Sequence, residues 1–232
     1  MKKVSIIIPV LNEEGTIFEI IKRVKEADIS GLEKEIIVVD NGSNDGTKKI
    51  VNSISGIRFL TEEIKGKGAA VKKGFSEATG DIFLIQDADL EYDPGDYNDV
   101  LQPILRGEAQ MTNGVRIESR FHARDYISAG FLGFLGNSVI TIVTNFLYNN
   151  HAKEYEGCYK AISKDLAQTV QCKSNGFEFE NELICRLLKK GVKVVDVPIH
   201  YYPRSYSEGK KIKWSHGVKI VFTIIKVRFF EK

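Results

Sequence analysis

Four short apolar runs rich in β-branched residues constrain the fold of this chain more than any other feature. They lie at residues 4–8 (VSIII), 35–39 (EIIVV), 57–60 (IRFL) and 82–85 (IFLI). Between them Ile17, Ile20, Ile21 and Val24 recur at helical spacing, as do Ala70, Val71, Phe75 and Ala78. Strands that are apolar on both faces and joined by helical crossovers imply a mainly parallel sheet covered on both sides, a three-layer α/β/α sandwich. Ligands of such sheets bind beyond the carboxyl ends of the strands. Those ends carry PVLNEEG, DNGSNDGT and QDADLE, so the pattern gathers three polar clusters on one rim.

The second half reads differently. Residues 126–150 are long, apolar and almost uncharged, 178–190 have the pattern of an amphipathic helix, and 192–202 read as a strand kinked at Pro198. The 232 residues are enough to bury one large core. We divide them into a body at 1–203, with halves at about 1–120 and 121–203, and a basic amphipathic tail at 204–232. From Arg204 onward eight Lys/Arg face two acids, which leaves 25 cations and 29 acids before it. A basic tail on a mildly acidic body suits a face that meets phosphate groups or anionic lipid.

The acidic stretch after the fourth run poses the sharpest chemical question. Asp87, Asp89, Glu91 and Asp93 follow Ile85 at every second position, where they repel one another unless something positive sits among them. Hard oxygen ligands suit Mg²⁺ or Mn²⁺, and Mg²⁺ is usually held by one or two carboxylates, with waters and phosphates completing the set. The alternative is a solvated acidic turn. In DNGSNDGT, Asp40 and two glycines either meet a base or ribose or form a turn with a helix cap. PVLNEEGT offers the same choice, since Asn12 is itself a capping type. In IKGKGAAVKKGF, Lys65 and Lys67 precede a helix start, as a phosphate contact or as a solvated basic turn; the stretch is not a P-loop.

In order and spacing, SIIIPVLNEEGTI, VVDNGSNDGT, KGKGAAVKKGF and QDADLEYDP resemble the inverting family 2 glycosyltransferases of GT-A fold. The similarity is strongest to the branch of the dolichol-phosphate mannose synthases, and YEGCYKAI, FEFENELICRLLKKGVKVVDVPIHYYPR and GKKIKW extend it over nearly the whole chain. The resemblance implies a nucleotide pocket lined by Pro9, Val10, Asn12 and Glu13, with Asp40 at the base or ribose and Lys67 at the donor phosphates. It makes Asp87 and Asp89 the DxD pair, with Glu91 a further metal ligand. Arg116 would meet an acceptor phosphate, with Arg120 or Arg124 a second cationic contact. Arg204, Lys210 and Lys211 would approach the diphosphate or the acceptor. The expected reaction is direct displacement at the anomeric carbon of a GDP- or UDP-sugar, assisted by Mg²⁺ or Mn²⁺. A polyprenyl-phosphate acceptor needs no general base, whereas a saccharide hydroxyl in surface-polysaccharide synthesis would need one, for which Glu156 and Glu154 are the candidates. The chain departs from the common pattern of the synthases in having Glu154 for an aspartate and NGVR for GSR, and the sequence shows none of the C-terminal transmembrane helices of some relatives.

Other classes fit less well. A nucleotidyltransferase would show an N-terminal glycine-rich phosphate loop, a pure nucleotide-sugar binder would have no need of the DxD pair, and no nucleic-acid motif is present. Three cysteines without CxxC spacing, and four histidines without ligand spacing, argue against disulfide or zinc frameworks and fit a reducing cytosol. The N-terminal apolar run is too short for a signal peptide, and no segment reaches the roughly 20 apolar residues that span a bilayer. The sequence therefore predicts a cytoplasmic protein, peripheral at the membrane face, whose tail either lies on the bilayer or packs on the domain.

Overall fold

The computed structural model describes residues 2–29, 31–116, 131–204 and 214–231. Strands β1 (Lys3–Val10), β2 (Glu33–Asp40), β3 (Arg58–Thr61) and β4 (Ile82–Ile85) coincide with the four apolar runs. Helices α1 (Ile17–Glu26), α2 (Thr47–Asn52) and α3 (Lys67–Glu77) are the crossovers between them. In α1 the expected residues Ile17, Ile20, Ile21 and Val24 are the buried ones, because spacings of three, four and seven share one helical face. Then follow a 3₁₀ turn (Pro94–Asp96), α4 (Tyr97–Leu105), β5 (Met111–Arg116), α5 (Phe131–Tyr148), β6 (Lys160–Ser163) and α6 (Lys164–Gln168). Helix α7 (Phe179–Lys189), β7 (Val194–Ile199) and α8 (Trp214–Phe229) complete the described chain.

The seven strands form one sheet in the order β3-β2-β1-β4-β6-β5-β7. All pair in parallel except β6, which runs antiparallel between β4 and β5. The reversal has a geometric result. The carboxyl ends of β1, β2, β4, β5 and β7 share one rim, and the chain entering β6, residues 154–159, reaches the same rim from the other direction. Pro198 sits inside β7, which is an edge strand where a missing N–H costs no ladder bond to an outer neighbour.

Pro9 opens the rim. β1 pairs with β4 only over Val4–Ile7, and the Gln86 N–H closes that ladder on the Ile7 carbonyl at 2.9 Å. Alternate residues face the same neighbour, so Pro9 would direct its missing N–H toward β4. The two strands separate from there while β1 stays paired with β2 out to Val10–Asp40. Strand order reverses its direction of growth at this point, which is where open α/β sheets bind ligands.

The tail resolves into two faces. Ile220, Ile224 and Val227 of α8 are buried with Ile140 of α5 and Cys185 of α7 in a second apolar cluster. Lys189 caps the end of α8 by donating to the carbonyls of Val227 and Arg228 at 2.9 and 3.1 Å and to that of Glu231, whose carboxylate also pairs with Arg186. The opposite side remains exposed and apolar. Leu135, Val139, Ile142 and Phe146 on α5, and Val218, Phe222, Ile225 and Phe229 on α8, each repeat at spacings of four, three and four. Among the described residues no helix is long and apolar enough to cross a membrane.

Candidate active site at the carboxyl rim of the sheet

The loops after β1 and β2 clasp each other. Asn12 adopts a left-handed φ of 51°, which Asn tolerates better than most residues. Its N–H donates to Ser43 Oγ at 2.9 Å, and its Oδ1 accepts from the Asn44 N–H at 2.9 Å. Glu13 N–H donates to Thr47 Oγ1 at 2.9 Å, and Glu14 accepts from the Gly46 N–H at 2.7 Å. Asp40, expected at a base or ribose, is only 1% exposed. Its carboxylate accepts the N–H groups of Gly42 and Ser43 at 3.0 and 3.2 Å, so in this structure it shapes the turn.

The glycines of KGKG serve packing. Gly66 has a φ of +124°, and a side chain there would strike the Asn175 carbonyl; one on Gly68 would strike Phe179. The first N–H groups of α3 donate to backbone carbonyls of the segment before α7, Gly68 to Gly176 at 3.2 Å and Ala69 to Asn175 at 3.1 Å. A helix start engaged in this way presents fewer donors to a phosphate than the sequence suggested. Lys65 turns to the Asn41 carbonyl at 3.2 Å. Lys67, expected at the donor phosphates, lies between Asp87 Oδ1 at 2.6 Å and Glu180 Oε1 at 2.7 Å. Burial acts against its charge, but the two carboxylates hold it protonated well above the usual lysine range.

Each carboxylate of the acidic stretch has its own partner. Asp87 has Lys67, and Asp89 Oδ2 has Arg204 Nη2 at 3.0 Å. Glu91 accepts the Arg204 backbone N–H at 2.7 Å, and Asp93 caps the 3₁₀ turn by accepting from Gly95 at 2.9 Å. Arg204 also reaches Glu13 at 3.2 Å, linking the β1 loop, the β4 rim and the chain beyond β7. Burial, then the charges of Asp87 and Glu91, push the Asp89 carboxyl up to about 7 despite Arg204. Of the expected metal set Asp87, Asp89 and Glu91, Asp87 meets Lys67, Asp89 meets Arg204, and Glu91 accepts the Arg204 N–H while its charge still acts on Asp89. Among the described residues no three Asp, Glu, His or Cys side chains stand ready around one ion.

Arg116, at the end of β5, grips Glu154: its Nε lies 3.0 and 2.9 Å from the two carboxylate oxygens, and its Nη2 bonds the second. Its guanidinium stacks 4.9 Å from the Tyr201 ring. Glu156 accepts from Asn181 Nδ2 at 3.0 Å, and burial pushes its carboxyl above the usual range against that bond and the charges of Lys160 and Arg116. Pro9 is half-buried and Val10 buried at the crevice. Arg120, Arg124, Lys210 and Lys211 lie outside the described residues.

Sequence reasoning passed over Gln86, Glu180 and Asn181. Gln86 is fully buried; its Oε1 accepts from the Tyr97 and Tyr159 hydroxyls at 2.7 and 2.9 Å, and its Nε2 donates to the Asp87 carbonyl at 2.9 Å. That tether, with the Asp87 N–H on Cys158 Sγ at 3.1 Å, fixes the start of the acidic turn. A polar side chain directly after a buried strand was its only signal.

The parallel sheet, its split between β1 and β4 and the acidic rim are those of a GT-A fold. Residues 5–170 match the family described as "Glycosyl transferase family 2", and the chain belongs to that family. It is 31% identical over 205 residues to a low-salt glycan biosynthesis hexosyltransferase of Haloferax volcanii, covering 86% of this chain and 48% of that one. It is 30% identical over 219 residues to a dolichol-phosphate mannosyltransferase of Pyrococcus furiosus, covering 90% and 59%. The chain thus spans about half to three-fifths of the length of these relatives. A crystal structure of glucosyl-3-phosphoglycerate synthase from Mycobacterium tuberculosis, in complex with Mn²⁺, uridine diphosphate and phosphoglyceric acid, superposes with a TM-score of 0.74. At 21% identity it covers 97% of this chain and 78% of that one, a likeness of fold.

Proposed function

We propose that this protein is a metal-dependent inverting glycosyltransferase that moves a sugar from a GDP- or UDP-sugar to a polyprenyl phosphate. The carrying observation is the carboxylate pair Asp87 and Asp89 at the β1–β4 split, beside the clasped loops of β1 and β2. Burial, then the charges of Asp87 and Glu91, push the Asp89 carboxyl up to about 7, and a hard divalent cation would offset the repulsion among these acids. Asp87 and Asp89 would hold Mg²⁺ or Mn²⁺, with water and donor phosphate completing the set; Mn²⁺ accompanies uridine diphosphate in the mycobacterial enzyme. When bound, such a cation supplies positive charge to the departing diphosphate. Pro9, Val10, Asn12 and Glu13 border the donor crevice, and Arg204 bridges its two sides.

The acceptor phosphate oxygen attacks the anomeric carbon as the bond to the diphosphate breaks, and no proton has to be removed. Arg116, with Arg120 or Arg124, holds the acceptor phosphate, and Lys210 and Lys211 add positive charge for the same phosphates. The dolichol phosphate in the name of the Pyrococcus relative supports this acceptor class. The exposed apolar stripes of α5 and α8 support a peripheral position on the cytoplasmic membrane face, with Lys219, Lys226 and Arg228 toward anionic lipid. A saccharide-hydroxyl acceptor is favoured by one observation, the buried Glu156 carboxyl, whose raised range suits a general base.

The test is turnover with Mn²⁺, a panel of GDP- and UDP-sugars, and either polyprenyl phosphate in vesicles or a saccharide. Formation of a lipid-linked sugar that chelator abolishes supports the first reading. Transfer to saccharide alone, lost in Glu156→Gln, replaces it with the second. Full transfer in chelator refutes the role given to Asp87 and Asp89.

A further inference from the structure

We infer that Glu180 is a positioning residue for the cation site, acting through Lys67 to keep Asp87 available. The inference rests on the metal reading above and extends it to an element that reading does not use. Lys67 Nζ stands 2.6 Å from Asp87 and 2.7 Å from Glu180, and the second oxygen of Glu180 stands 3.9 Å from Lys160 Nζ. Charge therefore alternates along Asp87, Lys67, Glu180 and Lys160, from the β4 rim through the first turn of α3 to α7 and the start of β6. The side chains of Lys67 and Glu180 are 17% and 11% exposed and that of Lys160 is fully buried, so water screens these charges weakly.

The two middle members cannot drift apart. Gly68, next to Lys67, bonds the Gly176 carbonyl at 3.2 Å and meets Phe179, next to Glu180, so closely that a methyl group would not fit between. The backbone thus fixes the distance between the helix starts that carry Lys67 and Glu180.

Lys67 and a divalent cation compete for the same carboxylate. Shared between two acids, Lys67 neutralises Asp87 only in part, and Glu180 gives it a partner to keep when a cation takes Asp87. Without the Glu180 charge, the whole of the Lys67 charge falls on Asp87 and opposes the cation. Outer partners of metal ligands typically change affinity roughly 10–100-fold, and the same range applies here.

The experiment is a titration with Mn²⁺ alone, read by the paramagnetic resonance of the free ion, on the wild-type chain, Glu180→Gln and Lys67→Gln. Glu180→Gln should weaken Mn²⁺ about tenfold or more, and Lys67→Gln, which removes the competitor, should tighten it. Neighbours that merely supported the fold would shift affinity in one direction. Weakening in both variants, or no change in either, overturns the inference. Should Glu180→Gln fail to fold by thermal melting in chelator, Lys67→Gln decides alone: tightening supports the inference, and weakening or no change overturns it. A wild-type chain that binds no Mn²⁺, either alone or with UDP or GDP present, overturns the metal reading itself, an outcome distinct from either.

Discussion

Asp89 gives the most direct test of the electrostatics of the rim. Its carboxyl is held at about 7 in the folded protein, against an ordinary value of 3.8, by burial and by Asp87 and Glu91. The side chain is 19% exposed, so solvent relieves little of this. With the folded value above the unfolded one, the folded protein keeps a proton that the unfolded chain releases between about pH 4 and 7. The stability this represents is complete below pH 4 and is lost as pH rises through 7. The rise from 3.8 to about 7 corresponds to about 4 kcal/mol lost by pH 8, of which only about 1.5 kcal/mol is lost by pH 5. Asp89→Asn carries no proton to lose. Its advantage over the wild type should therefore grow by about 3 kcal/mol from pH 5 to pH 8, or roughly 6–12 °C in melting temperature for a domain of this size. Calorimetry in chelator at constant ionic strength, at both pH values, measures this difference. Saturating Mn²⁺ should reverse the order at pH 8 by stabilising only the wild type. A difference between the two proteins that is equal at pH 5 and pH 8, or smaller at pH 8, refutes the argument.

Three further outcomes are expected. Arg116→Ala should raise the acceptor KM with donor affinity nearly unchanged; because it strands Glu154, it also costs about 3 kcal/mol, so the kinetics are read in the Arg116→Ala, Glu154→Gln pair. A collapse of donor affinity would move Arg116 to the diphosphate. Replacing Phe146 and Phe222, 85% and 66% exposed, by Ser should abolish sedimentation with anionic vesicles and leave the melting temperature within about 1 °C, as exposed sites do. Gly66→Ala should lose about 2 kcal/mol in urea unfolding, since φ of +124° and the Asn175 carbonyl both oppose a side chain.

β1, β2 and β4 were legible because each is a largely buried parallel strand, and such strands are apolar on both faces, while the half-buried edge strand β3 was legible by its short apolar run. β5 and β6 were not. Thr112, Asn113 and Lys160 interrupt their apolar pattern, yet all three are buried. Their partners are distant in sequence: Thr112 donates to the Val100 carbonyl at 2.8 Å, and Asn113 to Asp196 at 2.9 Å. No local period records such pairings. The acidic turn was legible as a carboxylate cluster by its spacing, but its partners were not. Lys67 and Arg204 lie 20 and 115 residues from the acids they meet. The sequence leaves the amphipathic tail either on the bilayer or packed on the domain. Helical geometry divides it, sending Ile220, Ile224 and Val227 inward and leaving Val218, Phe222 and Phe229 outside.

The reversed strand β6 also imposes an order of assembly. β3, β2, β1 and β4 are neighbours made from the first 85 residues, so this four-stranded half of the sheet can close while the rest of the chain is still being synthesised. β5 emerges next but has no seat, because the place beside β4 belongs to residues 160–163. Until those residues arrive, the wholly buried Ile82–Ile85 strand presents an open edge of unpaired backbone, the kind of surface that recruits strands from other chains. A nascent or truncated chain ending between 116 and 160 would thus be the form most prone to aggregate, and the four residues of β6 end that hazard by joining the two halves.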